Sequence, residues 1–339
     1  MSDLQVGGAS PVIPGEAAAA AGAAPVPAAG RPGLVRLAAL RLGHSVLVLW
    51  GAITLTFVAL HLTGGSVVDS IIGNNTQVTP EVRRQIIQDY GLGRPVWRQY
   101  LSYLGRLLHG DLGTSYQLQT SVSDAIGSQL PSTLGLMTAA TVLTVAATLA
   151  IALLTAGRKP WIRGPVSFLE VVGVAVPQFW LGILLLTVLS FKLHWFSVLG
   201  GGLSGLVLPA VTLAAPLVGL LSQILREGLE RAMDQPFAVT ARARGVREAT
   251  ILFRHALRHA LAPVVTLLGL MAGSLTGGAV LVEQIYSRPG IGQLLLTAVT
   301  GKDIPVVLGV VLVTAFFYVA INLVVDLLYP LLDPRLRDD

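Results

Sequence analysis

Residues 134–155 read LGLMTAATVLTVAATLAIALLT, a run without one charged side chain. At 1.5 Å per residue, a helix of this length crosses the roughly 30 Å hydrocarbon layer of a bilayer. The run lacks the apolar–polar alternation of a porin strand, and backbone groups in lipid must be satisfied within the segment, so a helix is the form it predicts. Working outward, five more apolar stretches occupy 45–62, 166–190, 206–225, 261–282 and 305–329. Six spanning helices predict an all-α membrane protein. Composition agrees: 53% of the 339 residues are hydrophobic and 12% charged, with a mean hydropathy of +0.72, more apolar surface than a soluble core can bury. The absence of cysteine excludes disulfide frameworks, thiolate metal sites and cysteine nucleophiles. The net charge of +5 comes from short arginine runs beside apolar segments, which points to membrane topology and away from nucleic acid.

Orientation follows from the positions of Lys and Arg, because positive side chains resist translocation. Arg31, Arg36 and Arg41 precede the first span; Arg158, Lys159 and Arg163 join the second and third; seven arginines from Arg226 to Arg258 join the fourth and fifth. The two short opposite connections carry only Lys192, or Arg288 and Lys302, as basic residues. Both termini are therefore expected in the cytoplasm. Residues 1–34 are Ala-, Pro- and Gly-rich with few large apolar side chains, and are expected to be a disordered cytoplasmic tail preceding a transmembrane domain over 35–339. The connection 63–132 is expected outside as a helical insertion. Within it Val82, Ile86 and Ile87 share one helix face in 80–90, and Trp97, Tyr100, Leu101, Leu104 and Leu108 share another in 95–109.

The long connection 226–260 differs from an ordinary loop. Residues 235–263 read QPFAVTARARGVREATILFRHALRHALAP, with helix-forming Ala241, Ala243 and Ala256, a breaker at Gly245, and Phe253, Ala256 and Leu257 continuing an apolar face. The pattern predicts a small helix, a turn and a second helix. Ringed by Arg242, Arg244 and Arg247, the small helix suits either a groove in a soluble partner or plain solvation as a positive-inside loop.

This stretch resembles the cytoplasmic EAA loop of bacterial ABC importer permeases, in the variant of the peptide and nickel subgroup, which looks like TARAKG followed by RHALRNALIP. Val239 and Thr240 stand where the general pattern has Glu and Ala; Ala241 and Gly245 keep the second Ala and the glycine. His255 and Arg258 replace its Ile and Pro, and Leu257 keeps its Leu. The resemblance extends over most of the chain through YGLGRPVWRQYLSYLGRLLHGDLGTSY (90–116), VAVPQFWLGILLL (174–186), VEQIYSRPGIGQLL (282–295), KDIPVVLG (302–309) and NLVVDLLYPLLDPRLR (322–337).

The resemblance implies a six-transmembrane-helix type I importer bundle, the B-type membrane subunit of the dipeptide/oligopeptide/nickel family. It implies half of a translocation pathway for peptides, with nickel, glutathione or haem as alternative cargo, in a bacterial inner membrane. The implied partners are a homologous second permease, two cytoplasmic ATPase subunits and an extracytoplasmic substrate-binding protein. Thr240, Ala241, Arg242, Ala243, Arg244, Gly245, Val246, His255 and Leu257 would couple this chain to the ATPases. No GxxxxGK[ST] occurs, so ATP and Mg would be held on the partners, leaving this chain non-catalytic with no cofactor or metal of its own.

Other chemistry is sparse. His255 and His259 lie one helical turn apart, yet no HExxH pattern or third ligand accompanies them. Polar residues within spans are costly to bury, which nominates Gln178 with its neighbours Phe179 and Trp180, Ser222, Gln223 and Asn322 for the translocation path; helix-to-helix hydrogen bonding is the rival reading. Glu170 is expected to reach water or pair with a loop arginine, and Gly273 with Gly277 forms a GxxxG packing step. An ion-coupled secondary transporter, the more distant alternative, would present a mid-membrane carboxylate or histidine relay, and the sequence offers none clearly.

Overall fold

The computed structural model describes residues 34–63, 67–72, 79–197, 202 and 204–332. The expected tail therefore lies outside the described residues, except that Leu34 already begins a helix. The chain divides into two units at residue 44, and the described residues of the first are the start of α1 (Leu34–Leu62). All that follows concerns the second unit. After α1 come α2 (Val67–Ile72), α3 (Pro80–Asp89), α4 (Val96–Leu108), α5 (Val122–Thr155), α6 (Pro160–Ala175) and α7 (Gln178–Leu185), which continues as a π-helical stretch, Leu186–Lys192. Then follow α8 (Ser204–Met233), α9 (Pro236–Ala243), α10 (Glu248–Thr250) with a π-helical Ile251–Ala256, α11 (Leu257–Leu270), α12 (Ala272–Ile285), α13 (Ile291–Thr300) and α14 (Ile304–Leu332).

α8 is the central post, packed against α5, α6, α11 and α12. Leu221, Leu225 and Leu229 run down its buried face into one core with Leu136 of α5, Ala256 at the end of the π-helical stretch and Ala260 in α11. The opposite side of α6 leaves Trp161, Phe168, Leu169 and Val171 exposed, an apolar face that lipid tails satisfy and water does not. Glycine sets the α6–α8 distance: a Cβ on Gly219 would lie 2.5 Å from the Glu170 carbonyl oxygen, so the two backbones touch there.

The helical expectation holds, with two corrections to the spans. The stretch 166–190 is not one rod: α6 and α7 meet at 112° across Val176 and Pro177. Pro177 lacks an N–H and pushes the preceding residue out of the helical region, and Val176 sits at ψ 126°. The fifth stretch is shifted, because the continuous apolar helix covers Glu248–Leu270, and the chain breaks at Met271 before α12 begins. Among the described residues, five helices are long and apolar enough to span, or six when the bent pair counts as one. The GxxxG step is also only half used: a Cβ on Gly273 would strike the Tyr318 ring at 2.5 Å, whereas Gly277 has nothing within 4 Å.

The insertion after α1 is helical as expected, but α4 buries a different face. Tyr103 is 3% exposed and packs with Ile53, Phe57, Ile304 and Leu308, while Trp97, Leu101 and Leu108 face outward. The insertion's turns follow a shared rule. α3 ends at Gly91 and α4 at Gly110, both left-handed, with the Leu92 N–H returning to the Ile87 carbonyl (3.0 Å) and the Asp111 N–H to the Arg106 carbonyl (3.1 Å). Glycine enters that conformation without the Cβ penalty.

Two buried carboxylates hold distant segments together. Asp303, 1% exposed, accepts from the Ser115 hydroxyl (2.5 Å) and from the N–H groups of Tyr116 (3.1 Å) and Gln117 (3.1 Å). Glu283 accepts from the Thr133 hydroxyl (2.5 Å) and the Gly292 N–H (2.8 Å), while Thr133 Oγ1 accepts from the Ile291 N–H (2.9 Å). A side chain on Gly292 would collide with the Val280 Cα at 2.5 Å, which accounts for the glycine in the PGIG turn. Asp303→Ala strands three donors, one of them the buried Ser115 hydroxyl. It is expected to cost about 2 kcal/mol or more and to open residues 111–117 to limited proteolysis; a cleavage pattern unchanged from wild type would contradict this pinning role.

Candidate coupling surface and translocation path

The connection from α8 to α11 folds as helix, turn and helix. Pro236 opens α9 at its first turn, where its missing N–H costs nothing, after Gln235 in an extended conformation. The helix closes on Gly245 at φ +77°, with the Gly245 N–H returning to the Arg242 carbonyl (2.9 Å) and the Val246 N–H to the Ala241 carbonyl (3.1 Å), the paired bonds of a glycine C-cap. Arg242 Nε then reaches Glu248 Oε1 at 2.5 Å, tying the end of α9 to the start of the next helix.

Small side chains and one ring seat this unit on the bundle. Ala238 is fully buried, and Phe237 packs on the core around α8 and stacks near His259 with ring centroids 5.1 Å apart. α9 thereby touches the end of α8 and the π-helical stretch Ile251–Ala256. Its other face is open: Thr240, Arg242, Ala243 and Arg244 are exposed, with Ala241 and Val246 half-buried beside them. Two apolar side chains are also exposed here, Val239 on α9 at 55% and Phe253 on the π-helical stretch at 58%. His255 is exposed beside Phe237. Leu257 is the exception among the nominated residues, since it turns inward and packs on the core.

Between α6 and α8 the structure hides a pair the sequence pointed to only in part. Of the two expectations for Glu170, water or a loop arginine, the second holds: Arg226, the first of the seven arginines, places Nη1 and Nη2 each 2.7 Å from a Glu170 oxygen. What the sequence did not show is that both side chains are buried, 4% and 3% exposed. The close α6–α8 approach at Gly219 sets the carboxylate opposite the guanidinium. Charges with such geometry are held by the fork of two parallel hydrogen bonds.

The nominated path residues do not converge. Ser222 is buried and donates to the Val218 carbonyl (2.6 Å); Gln223 donates to the Gly219 carbonyl (3.0 Å) and Asn322 to the Tyr318 carbonyl (2.8 Å). Each of these polar groups is satisfied by its own helix. Gln178 donates to the Thr212 carbonyl (3.4 Å) across to α8 and lines a cavity of ≈ 300 Å³ at the α6–α7 break, while Phe179 and Trp180 face outward. A larger cavity, ≈ 640 Å³, opens among α12, α13 and α14, lined by Thr133, Ser274, Gly277, Thr314 and Tyr318 among others, and by none of the six nominated residues. Its lining carries no charged side chain, so no burial cost marks it in the sequence.

Residues 148–338 match the family model described as the inner membrane component of binding-protein-dependent transport systems. The chain belongs to this family. The permease is similar along nearly its whole length to an oligopeptide transport system permease of Bacillus subtilis, 35% identical over 86% of this chain and 96% of the relative. It is 33% identical to a dipeptide transport system permease of Lactococcus lactis, over 90% of this chain and 100% of the relative. A di/tripeptide transport system permease of Pseudomonas aeruginosa is 32% identical over 88% of this chain and 98% of its own length. The permease is thus a multi-pass inner-membrane subunit of an ABC importer, of the dipeptide/oligopeptide family that its motifs suggested.

Proposed function

We propose that this permease forms half of a peptide translocation pathway and that α9 with its Gly245 turn receives force from a cytoplasmic ATPase. The observation that carries the proposal is the capped helix α9, seated on α8 through Ala238 and Phe237 and exposing Val239 and Arg244 on the far side. Peptide cargo is supported by the relatives' names. A second permease would complete the pathway, two ATPase subunits would hold ATP and Mg, and a binding protein would deliver cargo on the other face. Both termini would then lie in the cytoplasm, a placement that the arginines of the short connections support.

Closure of the ATPase pair would press on α9 and move α8, to which it is seated. α8 carries α6 with it through Arg226–Glu170 and the backbone contact at Gly219, so the push is transmitted as a rigid-body rotation. Short glycine- and proline-terminated joints, at Gly245 and at the Val176–Pro177 bend, absorb the change in angle. Reconstituting the permease with its neighbouring subunits should give ATP hydrolysis stimulated by peptide-loaded binding protein. Stimulation by nickel, glutathione or haem with none by peptides would reassign the cargo, and failure to assemble with any ATPase would overturn the coupling role.

A further inference from the structure

Away from α9, where α3 and α4 meet the start of α14, a cavity of ≈ 180 Å³ is lined by Asp89, Tyr90, Arg94, Tyr103, Arg106 and Tyr116, among others. Tyr103 is 3% exposed, and its hydroxyl has no hydrogen-bond partner. A buried hydroxyl left unpaired costs about 1–3 kcal/mol, and folded proteins keep few of them. Arg94 and Arg106 also have no ion-pair partner among the described residues. Each guanidinium lies over a left-handed glycine: a Cβ would sit 3.7 Å from Arg94 Nε at Gly91 and 3.7 Å from Arg106 Nη2 at Gly113. The two glycine turns leave room for the cations to fold back beside the cavity.

The tyrosines remain donors. Burial pushes the hydroxyl of Tyr103 up to about 12 against the opposing pull of Arg106. Burial does the same for Tyr116, also to about 12, again opposed by Arg106, with Asp303 and Tyr90 adding to the rise. Neutral O–H groups beside two guanidiniums make a donor-rich recess, and paired guanidinium nitrogens match the two oxygens of a carboxylate.

We infer that this recess binds the carboxylate end of a short peptide on the outer face of the permease, with Arg94 and Arg106 supplying the charge and the Tyr103 hydroxyl donating to one oxygen. Asp89, at the same cavity, is available to the ammonium group of a zwitterionic ligand. The volume admits one end of a peptide and not an extended chain, so the site holds cargo by its terminus whatever its side chains. The choice of a peptide over other carboxylates, and of the outer face, rests on the importer reading above.

The test uses the assembled transporter in lipid nanodiscs without binding protein, with dialanine and its C-terminal amide as probes, read by titration calorimetry or saturation-transfer NMR. Dialanine is expected to bind and its amide to bind at least about tenfold more weakly, the equivalent of one charge-assisted interaction. Arg106→Gln and Tyr103→Phe should each weaken dialanine by a similar factor, while Tyr103→Phe leaves the melting temperature unchanged or higher because it removes the unpaired hydroxyl. Equal binding of dialanine and its amide, or undiminished binding in both variants, overturns the inference. Displacement of bound peptide by phosphatidylglycerol in the disc, with loss of the amide discrimination, would assign the recess to lipid phosphate instead and also overturns it. Peptide-stimulated ATP hydrolysis measured with binding protein on the same preparation reports separately on the importer reading.

Discussion

Arg226→Met alone should destabilise the permease by about 3–5 kcal/mol, because it leaves the Glu170 carboxylate buried without its partner. The pair sits in the interior with side chains 4% and 3% exposed, so neither solvent nor salt relieves the stranded charge. Restoring the balance by removing both charges reverses the expectation. Glu170→Leu with Arg226→Met replaces a desolvated pair by apolar volume and should recover most of the lost stability, since the Coulombic gain of a buried pair is largely offset by the cost of drying it. The contrast is read by melting of the detergent-purified protein and by the yield of folded material. Equal melting temperatures for wild type and Arg226→Met would show that the pair is wetter than the geometry indicates. The double variant carries a second expectation: stability returns, while the bidentate link between α6 and α8 does not. If that link transmits force, transport per ATP hydrolysed stays below wild type even where folding is restored.

Ala241→Glu and Gly245→Glu should reduce transport at least about tenfold, the scale of losing one interface hot spot, while membrane insertion and the partners' basal ATP hydrolysis persist. Ala241 lies half-buried at the edge of the open face of α9, where a long acidic side chain would stand in any closely fitted socket. Gly245 is a separate case. A Cβ there meets nothing within 4 Å, so the restriction is the backbone at φ +77°. Gly245→Ala should therefore be mild, about 1–2 kcal/mol of local strain, and Gly245→Glu should exceed it only if a partner covers the turn. The decisive measurement is substrate uptake and ATP hydrolysis on the same proteoliposomes. Uptake at the wild-type level in both glutamate variants would remove α9 from the coupling path.

Legibility differed by feature. The helix–turn–helix of 235–263 was readable because its determinants are local: a proline at the first turn, alanines within, and a glycine where the chain must turn left-handed. The outer helices were readable for the same reason, yet the buried face of α4 was not. Periodicity groups Trp97, Leu101 and Leu108 with Tyr100 and Leu104, and only the position of α1 and α14 selects Tyr103 for burial and leaves Trp97 outside. The path nominations rested on residue type alone, yet a polar side chain in a span can bond to a carbonyl one turn back. Ser222, Gln223 and Asn322 all do so, a choice invisible in residue type.

From the residues alone came a helical membrane protein, the order of its apolar runs, the bias of its arginines and the small capped helix before Gly245, all properties set within a few turns of chain by hydrophobic length, backbone preference and charge. Tertiary structure decided which charges meet and which faces close. Glu170 and Arg226 are 56 residues apart, Ser115 and Asp303 188 apart, and Thr133 and Glu283 150 apart. Each pairing exists because helices pack closely enough, at Gly219 and around the α13 turn, to remove water from groups that would otherwise remain solvated. Burial of this kind is a property of neighbours in space, and the same residues written in a line carry no record of it.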